Sequence, residues 1–305
     1  MTSLSRPHIA VAINPSASQG KGRHVGTHLV EALRATGRTV DEYRADNYEQ
    51  LEGKARAAVA AGVDALIVVG GDGTAQLGTN VCAGTTTPLG IMPSGTGNDT
   101  AQGILQLPLD DMDAAITRII ESLEKPAWKI DAGIMRWAGG QRWFCSTMSA
   151  GFDALVNERV NQLSFPKGPS RYTVGMILEL LKLKPIHYTV TIDGDVTEEQ
   201  AILTTIANNR QYGGGMQICP EAKPDDGLLD IMMVRPVSRR DFIGIYPKVF
   251  TGTHVEDPRV VIRQGKKFRL DSPNLVGYSD GERIAPLPMD VEVVPGALPV
   301  LDTRI

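Results

Sequence analysis

The stretch Ala65–Thr74 reads ALIVVGGDGT, an apolar run that ends in paired glycines, an aspartate and a threonine. Such a run, bounded by glycine, is typical of a strand buried on both faces of a parallel sheet. A helical pattern continues from Thr74 to Ala83, so we interpret the glycines as a loop between a strand and a helix. In open α/β sheets, ligands bind outside the carboxyl ends of the strands. The stretch therefore predicts a parallel sheet and the edge at which a site should lie.

The same alternation extends in both directions from this stretch. Strands are predicted at His8–Asn14, Thr39–Arg44, Ala65–Val69 and Pro88–Met92, and helices at His24–Thr36, Tyr48–Ala61, Thr74–Ala83 and Asp110–Glu124. This rhythm predicts a Rossmann-like, three-layer α/β/α domain with a parallel sheet over residues 1–126. We expect the C-terminal tail, about residues 285–305, to rejoin that domain.

The pattern changes after Lys125-Pro126 to short alternating runs separated by turn signals. Strands are predicted at Trp128–Trp137, Arg142–Ser149, His187–Asp193, Ala201–Asn208, Leu228–Val234, Val260–Arg263, Phe268–Asp271 and Asp290–Val294. These runs predict a C-terminal antiparallel β-sandwich over residues 127–284. A helical insertion at about Phe152–Leu183 interrupts it.

Composition limits the classes of function that are open to this chain. A net charge of −4 over 305 residues provides no general attraction to nucleic acid, and we expect no nucleic-acid partner. Cys82, Cys145 and Cys219 have neither zinc-ligand spacing nor the even number of a disulfide framework. No run approaches the roughly 20 apolar residues of a membrane span, so we expect a cytoplasmic protein.

The first candidate motif is the glycine loop Gly70–Thr74 itself. Paired glycines allow a backbone to approach a phosphate closely, and Thr74 is suited to cap the following helix, whose N-terminus favours anions. Asp72 would repel a phosphate unless it serves a cation, so it holds Mg²⁺ or orients a lysine. The alternative is a tight turn with a solvated aspartate.

Two further glycine-rich loops follow other predicted strands. Pro93–Asp99 offers Thr96 and Asn98 to phosphate or ribose oxygens and Asp99 to metal or base chemistry; its alternative is an Asx-type turn. Asn14–Gly22 carries Lys21, a cation suited to phosphate. Neither the Walker A spacing nor a G-x-G-x-x-G fingerprint is present.

These three loops resemble the catalytic domain of the diacylglycerol kinase and sphingosine kinase superfamily, which is more distantly related to NAD kinases and phosphofructokinases. Downstream blocks agree in order: Asn208-Asn209 with Tyr212–Met216, Cys219–Ala222 with Asp225–Asp230, and Ser279–Glu282. The chain is most similar to the short, soluble bacterial diacylglycerol kinases, particularly those of actinobacteria.

The resemblance implies an ATP-dependent kinase that phosphorylates diacylglycerol, with the lipid between the two domains. By this resemblance the nucleotide contacts Gly70, Gly71, Asp72, Gly73, Thr74, Ala75, Gln76 and Thr96. Arg44 stands where the family often has threonine, which leaves its contact with base, ribose or phosphate open. Glu282 is the implied general base, with Asp280 close by as the other candidate and Asp72 near the γ-phosphate. Alone, Asp280-Gly281 would indicate only a hairpin turn.

The resemblance also implies partners and metals. A catalytic Mg²⁺ accompanies ATP, and a structural Mg²⁺ is held by the Asp226 side chain and the carbonyls of Lys223 and Leu228; a solvated acidic turn is the alternative. A homodimer that contacts the inner face of the membrane transiently is implied too. Sphingoid bases and monoacylglycerol are alternative acceptors, and a non-catalytic binding regulator is the alternative from another class.

The segment Arg171–Lys184 reads RYTVGMILELLKLK, with Val174, Ile177, Leu178 and Leu181 on one helical face. The flanking cations are Lys167, Arg171, Lys182 and Lys184. This pattern indicates either a membrane-docking element or an ordinary helix that packs its stripe on the sandwich. Because apolar stripes are usually core, we favour packing.

Overall fold

The computed structural model describes residues 7–15, 17–45, 47–163, 165 and 170–305, except for the side chains at positions 18, 19, 21 and 170. The chain divides into two compact units. The first comprises Met1–Ala132 with Pro295–Ile305, and the second comprises Gly133–Val294.

The first unit is built on a parallel sheet in the order β2-β1-β3-β4. Its strands are β1 (His8–Ile13), β2 (Thr39–Arg44), β3 (Ala65–Gly70) and β4 (Leu89–Pro93), and its helices are α1 (Lys21–Ala35), α2 (Tyr48–Ala60), α3 (Asp72–Cys82), α4 (Asp99–Gly103) and α5 (Met112–Ser122). Val300, from the C-terminal segment, extends the sheet by pairing in parallel with Leu89 of β4.

Helices cover both faces of this sheet, which explains why its central strands are apolar throughout. Helix α1 contacts α5 on one face, and α2 contacts α3 on the other. All six residues of β3 are buried as a result. Helix α2 begins where the Asn47 side chain accepts a hydrogen bond from Gln50 N–H at 2.9 Å. The predicted α/β/α architecture is confirmed.

The second unit is a β-sandwich with helices inserted. The remaining strands of the chain are β5 (Trp128–Trp137), β6 (Gly140–Phe144), β7 (Thr147–Gly151), β8 (Ile186–Ile192), β9 (Asp195–Ala201), β10 (Leu203–Ala207), β11 (Leu229–Val234), β12 (Val260–Gly265), β13 (Lys267–Asp271), β14 (Val276–Ser279), β15 (Glu282–Pro286) and β16 (Met289–Val300). The helices are α6 (Phe152–Gln162), α7 (Ser170–Leu181) and α8 (Arg239–Ile245).

Two antiparallel layers form this sandwich. One has the order β12-β11-β10-β7-β14-β15, and the other pairs β9, β8, β13 and the first residues of β16. Side chains from both layers, among them Met148, Tyr188, Ile231 and Leu270, form one buried cluster. The predicted sandwich with a helical insertion is therefore confirmed.

Several elements differ from the sequence prediction. The predicted strand Arg142–Ser149 is two strands, β6 and β7, which pair with different neighbours. Strand β9 was not predicted because Asp195–Ala201 is mostly polar, as suits a strand at the end of its layer. The short hairpin β14–β15 and helix α8 were also missed.

The expectation that the apolar stripe of α7 packs into the core is wrong. Ile177 and Leu181 are exposed, and Val174 and Leu178 are only partly buried. The face of α7 that packs inward carries the buried Gly175 and Glu179, and the partly buried Met176 and Leu180 pack against the apolar core cluster of this unit. No described helix has both the length and the apolar composition required to cross a bilayer.

Candidate functional site

The first two glycine loops lie in direct contact at the carboxyl ends of β3 and β4. Ser94 N–H donates a hydrogen bond to the Gly70 carbonyl at 2.9 Å. A Cβ placed on Gly95 would lie 2.3 Å from the Cα of Gly71, a distance that real Cβ atoms essentially never show. Glycine is therefore required here by the approach of two backbones, which the separate motifs did not reveal.

Asp72 joins these loops through its carboxylate. It is the first residue of α3, and its Oδ1 accepts a hydrogen bond from Thr100 N–H at 3.1 Å, with further backbone bonds from Asn98 and Asp99. The carboxylate thus satisfies N–H groups at the start of α4. The expectation that Thr74 caps α3 is wrong, because the helix begins earlier and Gly71 occupies the cap position.

A second carboxylate lies beside the first. Burial, together with the negative charge of Asp99, raises the pKa of Asp72 to about 6. A Cβ on Gly97 would lie 2.6 Å from Asp72 Oδ2 and 3.3 Å from Asp99 Oδ2, so both oxygens flank one small space. Two adjacent carboxylates, one buried (Asp99) and one partly buried (Asp72), favour a cation between them. Within the described residues, no cluster of three or more metal-ligating side chains is present, so an ion here would need further ligands from a nucleotide or water.

The other polar residues of the second loop differ in availability. Thr96 is exposed at the tip of the loop. Asn98 is buried with φ 58°, and its amide donates to the Gly95 carbonyl at 3.0 Å while its Oδ1 accepts from Gly95 N–H at 2.8 Å. Asn98 therefore closes the loop on itself, in agreement with the Asx-type alternative.

The third loop begins beside the first. Asn14 N–H donates to the Val69 carbonyl at 3.0 Å, and the Asn14 amide lies 3.5 Å from the Thr74 hydroxyl. A Cβ on Gly22 would lie 2.3 Å from the Asn14 carbonyl oxygen, so the start of α1 packs tightly against this loop. Lys21 is the first residue of α1, and its side chain lies outside the described residues. Lys167, one of the cations predicted to flank the segment Arg171–Lys184, also lies outside the described residues.

The remaining residues assigned to the nucleotide are Gly73, Ala75, Gln76 and Arg44. Ala75 and Gln76 are fully buried in α3, and Gly73, in the first turn of the same helix, is half-buried. The Arg44 guanidinium forms an ion pair with Glu42 and donates to the Thr27 hydroxyl at 2.9 Å. Arg44 is thus held at the end of β2 by neighbours within its own unit.

The raised pKa of Asp72 predicts how stability depends on pH. Its pKa is about 6 in the folded chain against 3.8 ordinarily, so folding takes up a proton between these values. This contribution should make the metal-free protein more stable as the pH falls from about 6 toward 4. In urea unfolding across this range, the free energy of unfolding of Asp72→Asn should depend less steeply on pH than that of the wild type.

The comparison has a matched control. Asp113 is exposed in the first turn of α5, so Asp113→Asn should retain the wild-type slope. Equal slopes for the wild type and Asp72→Asn would show that Asp72 is not the buried acid described above.

In the second unit, the acidic motif forms the turn between β14 and β15. Asp280 (φ 49°) and Gly281 (φ 83°) are the two turn residues, and Ser279 pairs with Glu282. Asp280 Oδ1 accepts a hydrogen bond from Thr147 N–H at 3.3 Å, which ties the turn to β7. Glu282 is exposed at the start of β15. Asp280-Gly281 thus forms the predicted hairpin turn, and the carboxylates of Asp280 and Glu282 belong to the same hairpin.

The loop before β11 carries the proposed structural metal ligands. Asp226 is exposed, and its Oδ1 accepts a hydrogen bond from Leu228 N–H at 3.0 Å, which closes an acidic turn. Lys223 is exposed in the same loop. Asp230 is buried nearby, and burial and the charge of Asp226 raise its pKa to about 6 against an opposing hydrogen bond from Gln264.

The sequence analysis did not identify two acidic residues of this unit that form hydrogen bonds to distant parts of the chain. Asp153 lies at the start of α6 with its Oδ1 buried, and this burial raises its pKa; its Oδ2 accepts a hydrogen bond from the Tyr212 hydroxyl at 3.3 Å. Glu158 accepts from Tyr278 at 2.6 Å and from Arg283 at 2.8 Å. Their partners lie 59 to 125 positions away, so no local spacing could indicate them.

Two family models match this chain. Residues 8–131 match the diacylglycerol kinase catalytic domain, and residues 146–302 match the YegS C-terminal NAD kinase beta sandwich-like domain. A diacylglycerol kinase of Mycobacterium tuberculosis is 36% identical over 300 residues, which is 97% of this chain and 95% of the relative.

Solved structures share the fold. A putative diacylglycerol kinase from Bacillus anthracis aligns with a TM-score of 0.74 at 23% identity, over 99% of this chain and 98% of that one. An NAD kinase from Archaeoglobus fulgidus in complex with ATP aligns with a TM-score of 0.53 at 13% identity, over 97% and 93% of the two chains.

Proposed function

We propose that this chain, which belongs to the diacylglycerol kinase family, transfers the γ-phosphate of ATP to the hydroxyl of a diacylglycerol, giving phosphatidic acid and ADP. The observation that carries this proposal is the contact between the two glycine loops, with Asp72 and Asp99 side by side at their base. Phosphoryl transfer needs a phosphate cradle and a cation at one place, and these loops are suited to provide both.

The nucleotide is assigned to the first unit. Gly70, Gly71 and Gly73 present backbone beside the N-terminus of α3, where an anion is favoured, and Thr96 offers an exposed hydroxyl. Lys21 supplies positive charge from the start of α1. Gln76, Ala75 and Asn98 are all buried, so we assign them to supporting the loops that hold the nucleotide.

Mg²⁺ fits the acidic pair. The Asp72 and Asp99 oxygens are hard ligands of the kind that Mg²⁺ prefers, and the ion would complete its coordination with phosphate oxygens and water. Bound there, it would neutralise charge on the transferring phosphoryl group. Because Asp72 is also anchored by α4, its loss would disturb the loop as well as the metal.

The acceptor proton is assigned to Glu282. The hydroxyl oxygen attacks the γ-phosphorus, the bond from that phosphorus to the bridging oxygen of ADP breaks, and the proton passes to a carboxylate. Asp280 uses its carboxylate to tie the hairpin to Thr147, whereas Glu282 is exposed at its edge. We therefore assign Glu282 as the base and Asp280 as a positioning residue.

A second Mg²⁺ is proposed at the loop before β11. Its ligands would be the Asp226 carboxylate and the carbonyls of Lys223 and Leu228. Burial, and then the charge of Asp226, raises the pKa of Asp230, and a cation at this loop is supported because it would offset the negative charge of both carboxylates. We further propose that the chain acts in the cytoplasm as a homodimer at the inner membrane face, where its lipid substrate lies.

A radiolabelled-ATP assay tests this function directly. The full chain is incubated with diacylglycerol, monoacylglycerol or a sphingoid base in mixed micelles, with Mg²⁺ or with a chelator. We expect label in phosphatidic acid only when Mg²⁺ is present. Label in the phosphorylated product of monoacylglycerol or of the sphingoid base would identify that lipid as the acceptor instead of diacylglycerol. Label in no lipid would refute the proposed reaction.

A further inference from the structure

Helix α7 presents its apolar stripe to solvent. Tyr172, Ile177 and Leu181 are 54%, 49% and 61% exposed, and the stripe residues between them are only partly buried. A surface helix of a globular protein normally turns such a stripe toward the core, so this orientation is unusual and requires an explanation.

The inward face of α7 fixes this orientation. Glu179 is only 8% exposed and accepts a hydrogen bond from Arg159 Nε of α6 at 2.7 Å. A Cβ on Gly175 would lie 2.7 Å from Val160 Cγ2, so the two helices pack closely at this point. Rotating α7 to bury Ile177 would break this ion pair and place a larger residue at the close contact. The exposed stripe is therefore a stable feature of the fold.

Basic residues cluster at the C-terminal end of α7. Lys182 and Lys184 follow the helix and are exposed. Arg239 Nη2 donates to the Leu181 carbonyl at 2.6 Å, which brings the start of α8, with Arg240, next to them. An apolar helical face bordered by cations is the arrangement of helices that lie in an anionic membrane surface.

The opposite end of α7 lies near the proposed base. The Tyr172 hydroxyl donates to Asn157 Oδ1 at 2.7 Å, and the Glu282 carboxylate is close enough for its negative charge to act on Tyr172. The exposed stripe thus extends away from the carboxylate that is assigned to the lipid hydroxyl. A lipid acceptor and this stripe would then meet the same surface.

We propose that the outward face of α7, formed by Tyr172, Ile177 and Leu181, inserts shallowly into an anionic lipid bilayer while Lys182, Lys184 and Arg240 contact its headgroups. The proposal deepens the proposed function, on which its assignment of a lipid substrate near Glu282 rests. We commit to the bilayer as the occupant because its anionic headgroups complement the cations at the end of α7; a contact between two copies of the chain is an alternative outcome of the test below.

Vesicle sedimentation without nucleotide tests the proposal with the full chain. Ile177→Gln with Leu181→Gln should weaken binding to phosphatidylcholine–phosphatidylglycerol vesicles at least about tenfold, since two apolar side chains are lost from the interface. Lys182→Ser with Lys184→Ser should weaken binding to these vesicles about tenfold but leave the weaker binding to pure phosphatidylcholine unchanged.

The matched control is Val196→Gln, which changes a 63% exposed apolar residue on β9. We expect it to bind vesicles like the wild type. Wild-type vesicle binding by the Ile177/Leu181 variant would overturn the proposal. The proposal would also be overturned if the Ile177/Leu181 variant lost a dimer that the wild type forms in analytical ultracentrifugation and yet retained vesicle binding. The face would then be a contact between two copies of the chain.

The binding result does not depend on turnover. A chain that sediments with vesicles as expected but labels no lipid would retain this inference and lose the proposed reaction. A chain that labels diacylglycerol in micelles, but whose vesicle binding is insensitive to α7, would retain the reaction and lose the inference.

Discussion

Replacing Glu282 with glutamine should lower kcat by about 1000-fold while the dissociation constant for Mg²⁺-ATP stays within about twofold of the wild type. Glutamine keeps the shape of the side chain but cannot accept the proton of the lipid hydroxyl. The nucleotide is assigned to loops of the other unit, so its binding should be unaffected. Steady-state label transfer gives kcat, and calorimetric titration gives the dissociation constant.

Two variants separate the role of Glu282 from that of the hairpin. Glu198 is also an exposed glutamate on a strand of the same unit, and Glu198→Gln should keep wild-type kcat. Asp280→Asn should lower kcat less than Glu282→Gln if Asp280 only positions the turn. A Glu282→Gln enzyme with wild-type turnover would remove Glu282 as the base.

Replacing Gly95 with alanine should weaken Mg²⁺-ATP binding about 100-fold and destabilise the first unit by about 1–3 kcal/mol. The added Cβ would lie 2.3 Å from the Gly71 Cα and 2.9 Å from Asn98 Oδ1. Both neighbours are fixed, one as backbone and the other by two hydrogen bonds to Gly95 itself. The two loops must separate, which would move the phosphate cradle.

Gly53 provides the matched control. It lies in the middle of α2, and a Cβ there would meet nothing within 4 Å. Gly53→Ala should leave ATP binding unchanged and stabilise the helix by up to about 1 kcal/mol. If Gly95→Ala binds Mg²⁺-ATP as tightly as Gly53→Ala, the contact between the loops is not needed for the nucleotide.

The sequence was most informative where local pattern and tertiary environment agree. The runs IAVAI, which follows His8, and ALIVVG carry no polar side chain because helices cover both faces of the sheet, so β1 and β3 were readily predicted. Strand β9 was missed for the converse reason: Asp195–Ala201 alternates only weakly and is largely exposed. Local pattern was also too weak to identify the short hairpin around Asp280-Gly281 as two strands.

The candidate site divides in the same way. Glycine and aspartate at the ends of strands indicated where a phosphate and a cation would lie, and the order of these motifs indicated the family. The partners of those residues were not visible. Asp72 satisfies the start of α4, 28 positions along the chain, and Asn98 closes its own loop, because loop geometry decides which hydrogen bonds form.

The sequence by itself determined the α/β and β-sandwich architectures, the glycine loops and the family, because these depend on hydrophobic periodicity and residue order. Only the tertiary structure decided that Gly71 and Gly95 touch, that Asp72 and Asp99 share one small space and that α7 turns its apolar stripe outward. A stripe of leucine and isoleucine has the same pattern whichever way it faces. Its direction was set by the Glu179–Arg159 ion pair and the close approach at Gly175, contacts between two different helices.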